Sequence, residues 1–227
     1  MRLEQVSVEF SLLTVEDYNL KRKIMTGFKS RRGTARKRLI ALHDINLELN
    51  ESDRLRIVGN NGAGKTTLLR VICGSLAPSR GFVKTVGRVL PLLGDAGATL
   101  DGTLTGRENI YQLGLMLGER PKSLESLVDE IICFSGLGQR IDTAVGTYSS
   151  GMAARLRFSV ITALKPDILV VDEGIVSTAD LEFAERAKER LQQFQNEIPI
   201  VIWSSFSQAF STVVSKQIEL HPSEVLT

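Results

Sequence analysis

The residues with the clearest chemical meaning form a glycine-rich loop in the first third of the chain. The run Gly59-Asn60-Asn61-Gly62-Ala63-Gly64-Lys65-Thr66 fits the pattern G-x-x-x-x-G-K-[ST] at every required position. Glycines allow successive backbone N–H groups to surround phosphate oxygens at close range. Lys65 would reach the β- and γ-phosphates of a nucleotide, and the Thr66 hydroxyl would bind Mg²⁺. The sequence therefore predicts a phosphate-binding loop over residues 59–66, with Thr67 beside it.

Two adjacent carboxylates stand at the end of an apolar run much later in the chain. Asp172 and Glu173 follow Ile168-Leu169-Val170-Val171, a continuous run that is typical of a central parallel strand buried on both faces. Ligands of open α/β sheets bind outside the carboxyl ends of such strands. We therefore predict that Asp172 holds Mg²⁺, directly or through water, and that Glu173 polarises the attacking water as a general base.

Strand and helix patterns alternate along the chain and must position these groups. Strand-like runs lie at 3–10, 42–49, 54–58, 168–171 and 198–203, and two more fall between residues 81 and 93. Helical patterns cover residues 66–73, 105–138 and 151–164. A further helix is predicted from a stripe expected to face the core, formed by Leu181, Ala184, Ala187, Leu191 and Phe194. This alternation predicts an α/β fold with a mostly parallel sheet.

Composition places the chain among ordinary globular proteins. Its 227 residues suffice for one large α/β domain, and hydrophobic and charged residues make up 43% and 24% of them. No apolar run is long enough to span a membrane, and the start lacks the features of a secretory signal, so we expect a cytoplasmic protein. Cys73 and Cys133 have no metal-ligand spacing and are too few for a disulfide framework. Both are expected to fill apolar positions in helices.

The net charge of +2 conceals an uneven distribution. Nine basic residues and no acids lie between Lys21 and Arg38, so the rest of the chain is net acidic. We assign residues 21–38 as a basic loop insertion. Such a block either contacts anionic lipid headgroups or nucleic acid, or simply forms a solvated loop, and the sequence leaves both readings open.

A third segment narrows the class of nucleotide-binding protein. Tyr148-Ser149-Ser150-Gly151-Met152 opens a helical pattern shortly before the acidic pair. This segment resembles the signature motif of ABC transporter ATP-binding subunits. Its variant form, together with the sequences ALHDI at 41–45, LTGRENI at 104–110 and KPDIL at 165–169, resembles the subfamily that exports bacterial polysaccharides, teichoic acids and O-antigens. The resemblance extends from about residue 39 to residue 220.

The resemblance implies a fold and a set of partners. The fold would be a P-loop NTPase core with an antiparallel β-subdomain and a small α-helical subdomain over residues 105–160, in a single domain spanning 1–227. ATP and Mg²⁺ would be the cofactors, and ATP hydrolysis the activity. Two copies, expected to be a homodimer, would hold ATP head to tail, with Ser149, Ser150 and Gly151 of one copy facing the γ-phosphate held by the other. A separate membrane-spanning permease would hold the chain at the cytoplasmic face of the bacterial inner membrane as a peripheral subunit.

The sequence departs from the family pattern at the position of a histidine. Ser205 occupies that position after the strand predicted at 198–203, and a serine can hydrogen-bond a phosphate oxygen but cannot carry a positive charge. We assign Ser205 to the catalytic site, where it makes the rate of hydrolysis an open question.

Three further site positions match the family loosely. Asp95 falls near the position where the family has Gln, or Glu in this subfamily, and we assign it to Mg²⁺ or water. Asp180 in the segment STAD at 177–180 matches an acid that contacts nucleotide in the family. The aromatic ring that stacks on adenine stays open among Phe10, Tyr18 and Phe28, each of which is expected to lie in core or loop.

Three functions are weighed on these grounds. The leading hypothesis is the ATP-binding and hydrolysing subunit of an exporter for a bacterial cell-surface glycan. The alternative, motivated by Ser205, is a nucleotide-gated regulatory or structural subunit with little hydrolysis. A small-molecule kinase or a nucleic-acid-linked ATPase is the third, but the signature segment argues against the kinase and no nucleic-acid partner is expected.

Overall fold

The described part of the protein contains a parallel and an antiparallel β-sheet with helices packed around them. The computed structural model describes residues 1–11, 38–93, 99–172, 181–204, 214–222 and 224–226. Nine β-strands and five α-helices of eight residues or more lie within these ranges.

The parallel sheet carries the carboxyl edge at which Thr66 and Asp172 meet. Its strand order is β5-β6-β7-β3-β8, and every neighbouring pair is parallel. The strands are β3 (Arg54–Val58), β5 (Val89–Leu92), β6 (Ile168–Val171), β7 (Ile200–Ser204) and β8 (Lys216–Glu219). All residues of β6 and β7 are buried, because both strands are apolar runs with neighbours on each side. The central, doubly covered strand predicted at 168–171 is confirmed.

The antiparallel sheet has the strand order β4-β1-β2-β9. Its strands are β1 (Arg2–Ser11), β2 (Arg38–Glu48), β4 (Arg80–Lys84) and β9 (Glu224–Leu226). Strand β2 begins four residues before the strand pattern predicted at 42–49. Ser11 pairs with Arg38 at the end of the β1–β2 ladder, so the basic segment is inserted between two paired strands.

The helices frame two regions of the chain. Helix α1 (Lys65–Ile72) follows the glycine-rich loop. Helices α2 (Gly106–Met116), α3 (Pro121–Ser135) and α4 (Ser150–Ala163) occupy the part predicted to be helical, with 3₁₀ turns at Gly138–Asp142 and Val145–Thr147 before α4. Helix α5 (Leu181–Glu197) leads into β7. Within the described ranges, none of these helices combines the length and low polarity that crossing a bilayer requires.

Two hydrophobic clusters lie on opposite faces of the parallel sheet. The α1 cluster joins α1, through Leu68 and Leu69, to the antiparallel sheet. The α4 cluster joins α4, through Leu156 and Phe158, to α2, α3 and α5. Successive residues of β6 and β7 alternate between the two clusters, as the two-residue period of a strand requires. The sheet therefore separates two cores that share its strands.

Two expectations about apolar positions are wrong. Leu181 is 88% exposed at the first position of α5. The buried stripe of α5 is instead Phe183, Ala187, Leu191 and Phe194. Cys133 is exposed on α3, and the half-buried Cys73 ends α1 as its C-cap residue.

Candidate functional site

The glycine-rich loop connects β3 to α1 and is closely contacted by backbone on two sides. Gly59 and Gly64 have φ angles of 151° and 91°, which residues other than glycine rarely adopt. A Cβ on Gly59 would stand 2.6 Å from the Leu220 carbonyl oxygen, and one on Gly64 would stand 2.5 Å from the Ala41 carbonyl oxygen. Strand β2 and the segment after β8 thus hold the loop in place, which explains why both positions need glycine.

Lys65 lies over the loop that precedes it. Its ammonium group donates to the carbonyl oxygens of Gly59 at 2.6 Å and Asn60 at 3.1 Å. Gly64 caps α1 without a side chain, so the first turn of this helix has no side-chain cap on its N–H groups. Uncapped N–H groups beside an ammonium favour an anion at this helix end.

The other loop residues divide by exposure. Asn60, Asn61 and Gly62 are exposed, whereas Ala63 is buried at 1% exposure in the α1 cluster. The Ala63 amide donates to the Asn60 carbonyl at 3.1 Å, and this hydrogen bond within the loop stabilises it. The exposed rim is therefore the side that a phosphate can approach.

Asp172 and Thr66 lie together at the carboxyl edge of the sheet. The Thr66 hydroxyl donates to Asp172 Oδ2 at 3.1 Å, although the two residues are 106 positions apart in sequence. Adjacent ligands of an octahedral Mg²⁺ stand about 2.9 Å apart, so the spacing of these two oxygens suits a shared magnesium ion. The oxygen-only donor set is also the one that Mg²⁺ prefers.

Ser204 is a member of this group that sequence reasoning missed. It ends β7, beside β6, and is 1% exposed. Its hydroxyl donates to Asp172 Oδ1 at 2.7 Å, so each carboxylate oxygen has its own hydroxyl donor. A polar residue that ends a buried apolar run was the available signal.

The signature segment begins α4, one residue before the helical pattern predicted at 151–164. Ser149, not Ser150, is the N-cap residue, and its hydroxyl accepts a hydrogen bond from the Met152 amide at 3.2 Å. Ser150 is the first helical residue and is exposed, followed by the half-buried Gly151. Among the hydrogen bonds of the described residues, none joins Ser149, Ser150 or Gly151 to the phosphate loop.

Four predicted site residues lie outside the described residues: Asp95, Glu173, Asp180 and Ser205. The same holds for Tyr18, Phe28 and the basic segment up to residue 37. Phe10 is described, and it was wrongly expected to lie in core or loop. It is 40% exposed near the end of β1, where it pairs with Leu39 of β2.

Comparisons with known proteins find a matching family profile and similar proteins. The profile of the ABC transporter family matches residues 42–176. The chain is 36% identical over 197 residues to the teichoic acids export ATP-binding protein TagH of Lactococcus lactis, covering 87% of this chain and 41% of that protein. It is 36% identical over 173 residues to the O-antigen export system ATP-binding protein RfbB of Klebsiella pneumoniae, covering 76% of this chain and 70% of that protein.

A third relative and a solved structure extend the comparison. The protein TagH of Staphylococcus saprophyticus is 38% identical over 197 residues, which cover 87% of this chain and 71% of that protein. The ATP-binding cassette MJ0796, solved as a dimer in a post-hydrolysis state bound to ADP and Pi, superposes with a TM-score of 0.71 at 16% identity. That match covers 100% of this chain and 97% of that chain, and it shows the same fold. Profile, relatives and fold agree, and the chain belongs to the ABC transporter family.

Proposed function

We propose that this chain is the ATP-binding and ATP-hydrolysing subunit of an exporter for a bacterial cell-surface polysaccharide or lipid-linked glycan. The observation that carries the ATPase part is the contact between the Thr66 hydroxyl and the Asp172 carboxylate beside Lys65. The glycan part is supported by the relatives, which are named for the export of teichoic acids and O-antigens.

The phosphate loop would bind the triphosphate of ATP. Its amides and those of Thr66 and Thr67 would donate to phosphate oxygens, and Lys65 would neutralise their charge. Thr66 and Asp172 would hold Mg²⁺, with Asp95 near it. When bound, the ion would neutralise negative charge on the phosphate oxygens.

The remaining roles fall on residues whose neighbours in the sequence support them. Glu173 follows Asp172 directly and would act as general base on the attacking water. Ser205 follows Ser204, which touches Asp172, and would hydrogen-bond the γ-phosphate without supplying a charge. Asp180 would contact nucleotide just before α5 begins.

Phe10 is the described aromatic that suits the adenine ring. It pairs with Leu39, two residues before Ala41, and the Ala41 carbonyl abuts Gly64 of the phosphate loop. Aromatic rings stack on one another, and Phe10 would stack on the adenine ring in this way. Phe10→Ala should weaken nucleotide affinity and Phe10→Tyr should preserve it, and equal losses in both would refute stacking.

The partners proposed are a second copy of the chain and a separate membrane-spanning permease. The second copy would supply Ser149, Ser150 and Gly151 to the γ-phosphate. Residues 105–138 and the segment around Asp95 would face the permease at the cytoplasmic side of the inner membrane. ATP binding would close the dimer, and hydrolysis would reopen it.

Turnover of ATP in the presence of the permease tests the proposal. We expect steady hydrolysis that Glu173→Gln abolishes while ATP binding persists, because the substitution removes a base and keeps the shape of the side chain. Normal ATP affinity without any turnover would instead establish the nucleotide-gated subunit motivated by Ser205. A Ser205→His variant with an unchanged rate would show that the serine does not limit hydrolysis.

A further inference from the structure

We propose that Tyr148 is a positioning residue that sets the direction of the N-terminus of α4, held by a frame built on Gly106 and Asn109. The inference rests on the proposed use of Ser149, Ser150 and Gly151 by a second copy of the chain. It gives a role to the segment LTGRENI at 104–110, whose Ile110 packs in the α4 cluster.

Asn109 forms the base of the frame. Its side chain is 1% exposed on α2, and its oxygen accepts from the Asp101 amide at 2.7 Å. Its nitrogen donates to the carbonyls of Asp101 and Thr105, each at 2.9 Å. Thr105 and Glu108 cap the same helix end through a reciprocal pair of hydrogen bonds. These bonds fold residues 101–105 against the start of α2.

The folded segment then fixes the residues that lead into the signature segment. The Val145 amide donates to the Leu104 carbonyl at 2.8 Å, and the Gly146 amide donates to the Gly102 carbonyl at 2.9 Å. An isolated antiparallel bridge joins Thr105 to Ala144. Residues 143–146 are therefore held by residues distant in sequence, with no strand of either sheet involved.

Tyr148 completes the frame directly before the cap of α4. Its hydroxyl donates to the Arg140 carbonyl at 2.7 Å, and its amide donates to the Val145 carbonyl at 2.9 Å. A Cβ on Gly106 would overlap the Tyr148 hydroxyl oxygen, so this ring needs the glycine. Since Ser149 follows at once as the N-cap, the two anchors of Tyr148 determine where α4 begins and where it points.

The frame acts on only one half of an ATP site. Tyr148 packs against the α4 cluster, whereas the phosphate loop belongs to the α1 cluster on the other face of the sheet. Loosening Tyr148 should therefore misdirect the helix end offered to a second copy and leave the chain's own phosphate loop intact. A residue with a merely structural role would instead reduce thermal stability and nucleotide affinity together.

The experiment compares Tyr148→Phe with Tyr111→Phe in the full chain. Tyr111 lies on α2 against the same cluster, and within the described residues its hydroxyl forms no hydrogen bond. Two dissociation constants are measured with Mg²⁺ and a non-hydrolysable ATP analogue: that of the nucleotide at low protein concentration, and that of the dimer by sedimentation. Losing one hydrogen bond in each copy should weaken the Tyr148→Phe dimer about tenfold. Nucleotide affinity should stay unchanged, and Tyr111→Phe should match the unsubstituted chain in both.

Gly106→Ala provides a second variant that keeps every polar group. Alanine favours the helix at this position, so a weaker dimer would follow from the displacement of Tyr148 and of Ile141, whose Cδ1 atom the new Cβ would meet at 2.8 Å, and not from a lost helix. Gly102→Ala is its control, because a Cβ there meets only an ordinary contact at 3.5 Å.

Two results would overturn the inference in different ways. The positioning role alone would be refuted if Tyr148→Phe and Gly106→Ala had the dimer dissociation constant of the unsubstituted chain. It would also be refuted if they lost nucleotide affinity in parallel with dimer affinity. Failure of the unsubstituted chain to dimerise with the analogue would refute the proposed trans use of the signature segment, and this inference with it.

Discussion

The phosphate loop and the signature segment each lead into the N-terminus of a helix and are both proposed to bind phosphate, but they are built in different ways. The loop leaves β3 and is fixed by the backbone of β2 and by Leu220, next to strands of two sheets. The signature segment follows two 3₁₀ turns and is fixed by Asn109, Gly106 and Tyr148. The position of the phosphate loop is set by the strands of the sheets, whereas that of the signature segment depends on a few side-chain hydrogen bonds.

This difference predicts how each half fails. A sheet edge tolerates the loss of one functional side chain, so changes at the phosphate loop should affect chemistry more than stability. A frame held by side-chain hydrogen bonds loses stability when one member is removed, because its partners lose hydrogen bonds. The substitutions below are chosen to separate these two kinds of failure.

The largest effect is expected from Lys65→Ala. The ammonium is the cation at the loop, and its loss should reduce ATP turnover by about 100-fold or more. Stability should change little, since alanine suits the first position of α1. Lys84→Ala, an exposed position on β4, is the control and should behave like the unsubstituted chain in turnover and melting assays.

Asp172→Asn tests whether the carboxylate between Thr66 and Ser204 holds magnesium. Losing the charge should raise the Mg²⁺ concentration for half-maximal turnover by about 10- to 100-fold. Asp167 lies at the other end of β6 and accepts from the Arg88 amide, so Asp167→Asn should leave this Mg²⁺ dependence unchanged. Equal Mg²⁺ curves for both variants would remove Asp172 from the ion site.

Asn109→Ala should show the opposite behaviour from Lys65→Ala. It leaves the Asp101 amide without its acceptor and removes one of two donors to each of the Asp101 and Thr105 carbonyls. The free energy of unfolding should fall by about 2 kcal/mol. Nucleotide affinity of the surviving folded chain should stay normal. Denaturant titration and nucleotide binding together check this, and a stable variant with weakened nucleotide binding would reverse the comparison.

The two thiols provide the mildest test, because it needs no substitution. Burial raises the pKa of the Cys73 thiol to about 12, so at pH 8 its reactive thiolate is scarce in the folded chain. Cys133 is exposed on α3. A thiol reagent should therefore modify Cys133 quickly and Cys73 only as the α1 cluster opens, and peptide mass spectrometry distinguishes the two. Denaturant should make both react.

The phosphate loop and Asp172 could be predicted from the sequence because their patterns are local. Residues 59–66 and 168–172 could be assigned because a motif and an apolar run are contiguous, and their strands and helix are confirmed. Ser204 was missed because its contact with Asp172 depends on β7 lying beside β6, which no local pattern specifies. The frame around Tyr148 was missed for the same reason. Asn109 and Arg140 become part of it only because residues 101–105 pair with residues 143–146. Leu181 and Cys133 were misplaced because periodicity does not show where a helix leaves the core.

A mixing experiment tests directly whether two copies of the chain share each ATP. Lys65→Ala disables the phosphate loop, and Ser150→Glu places a charge that repels the γ-phosphate while an acid in the first turn still favours α4. Each variant alone should be inactive. Mixed dimers would carry one intact site, formed by the loop of one variant and the signature of the other. Random pairing should therefore restore turnover to about a quarter of the unsubstituted rate. A mixture no more active than its components would contradict a site shared between two copies.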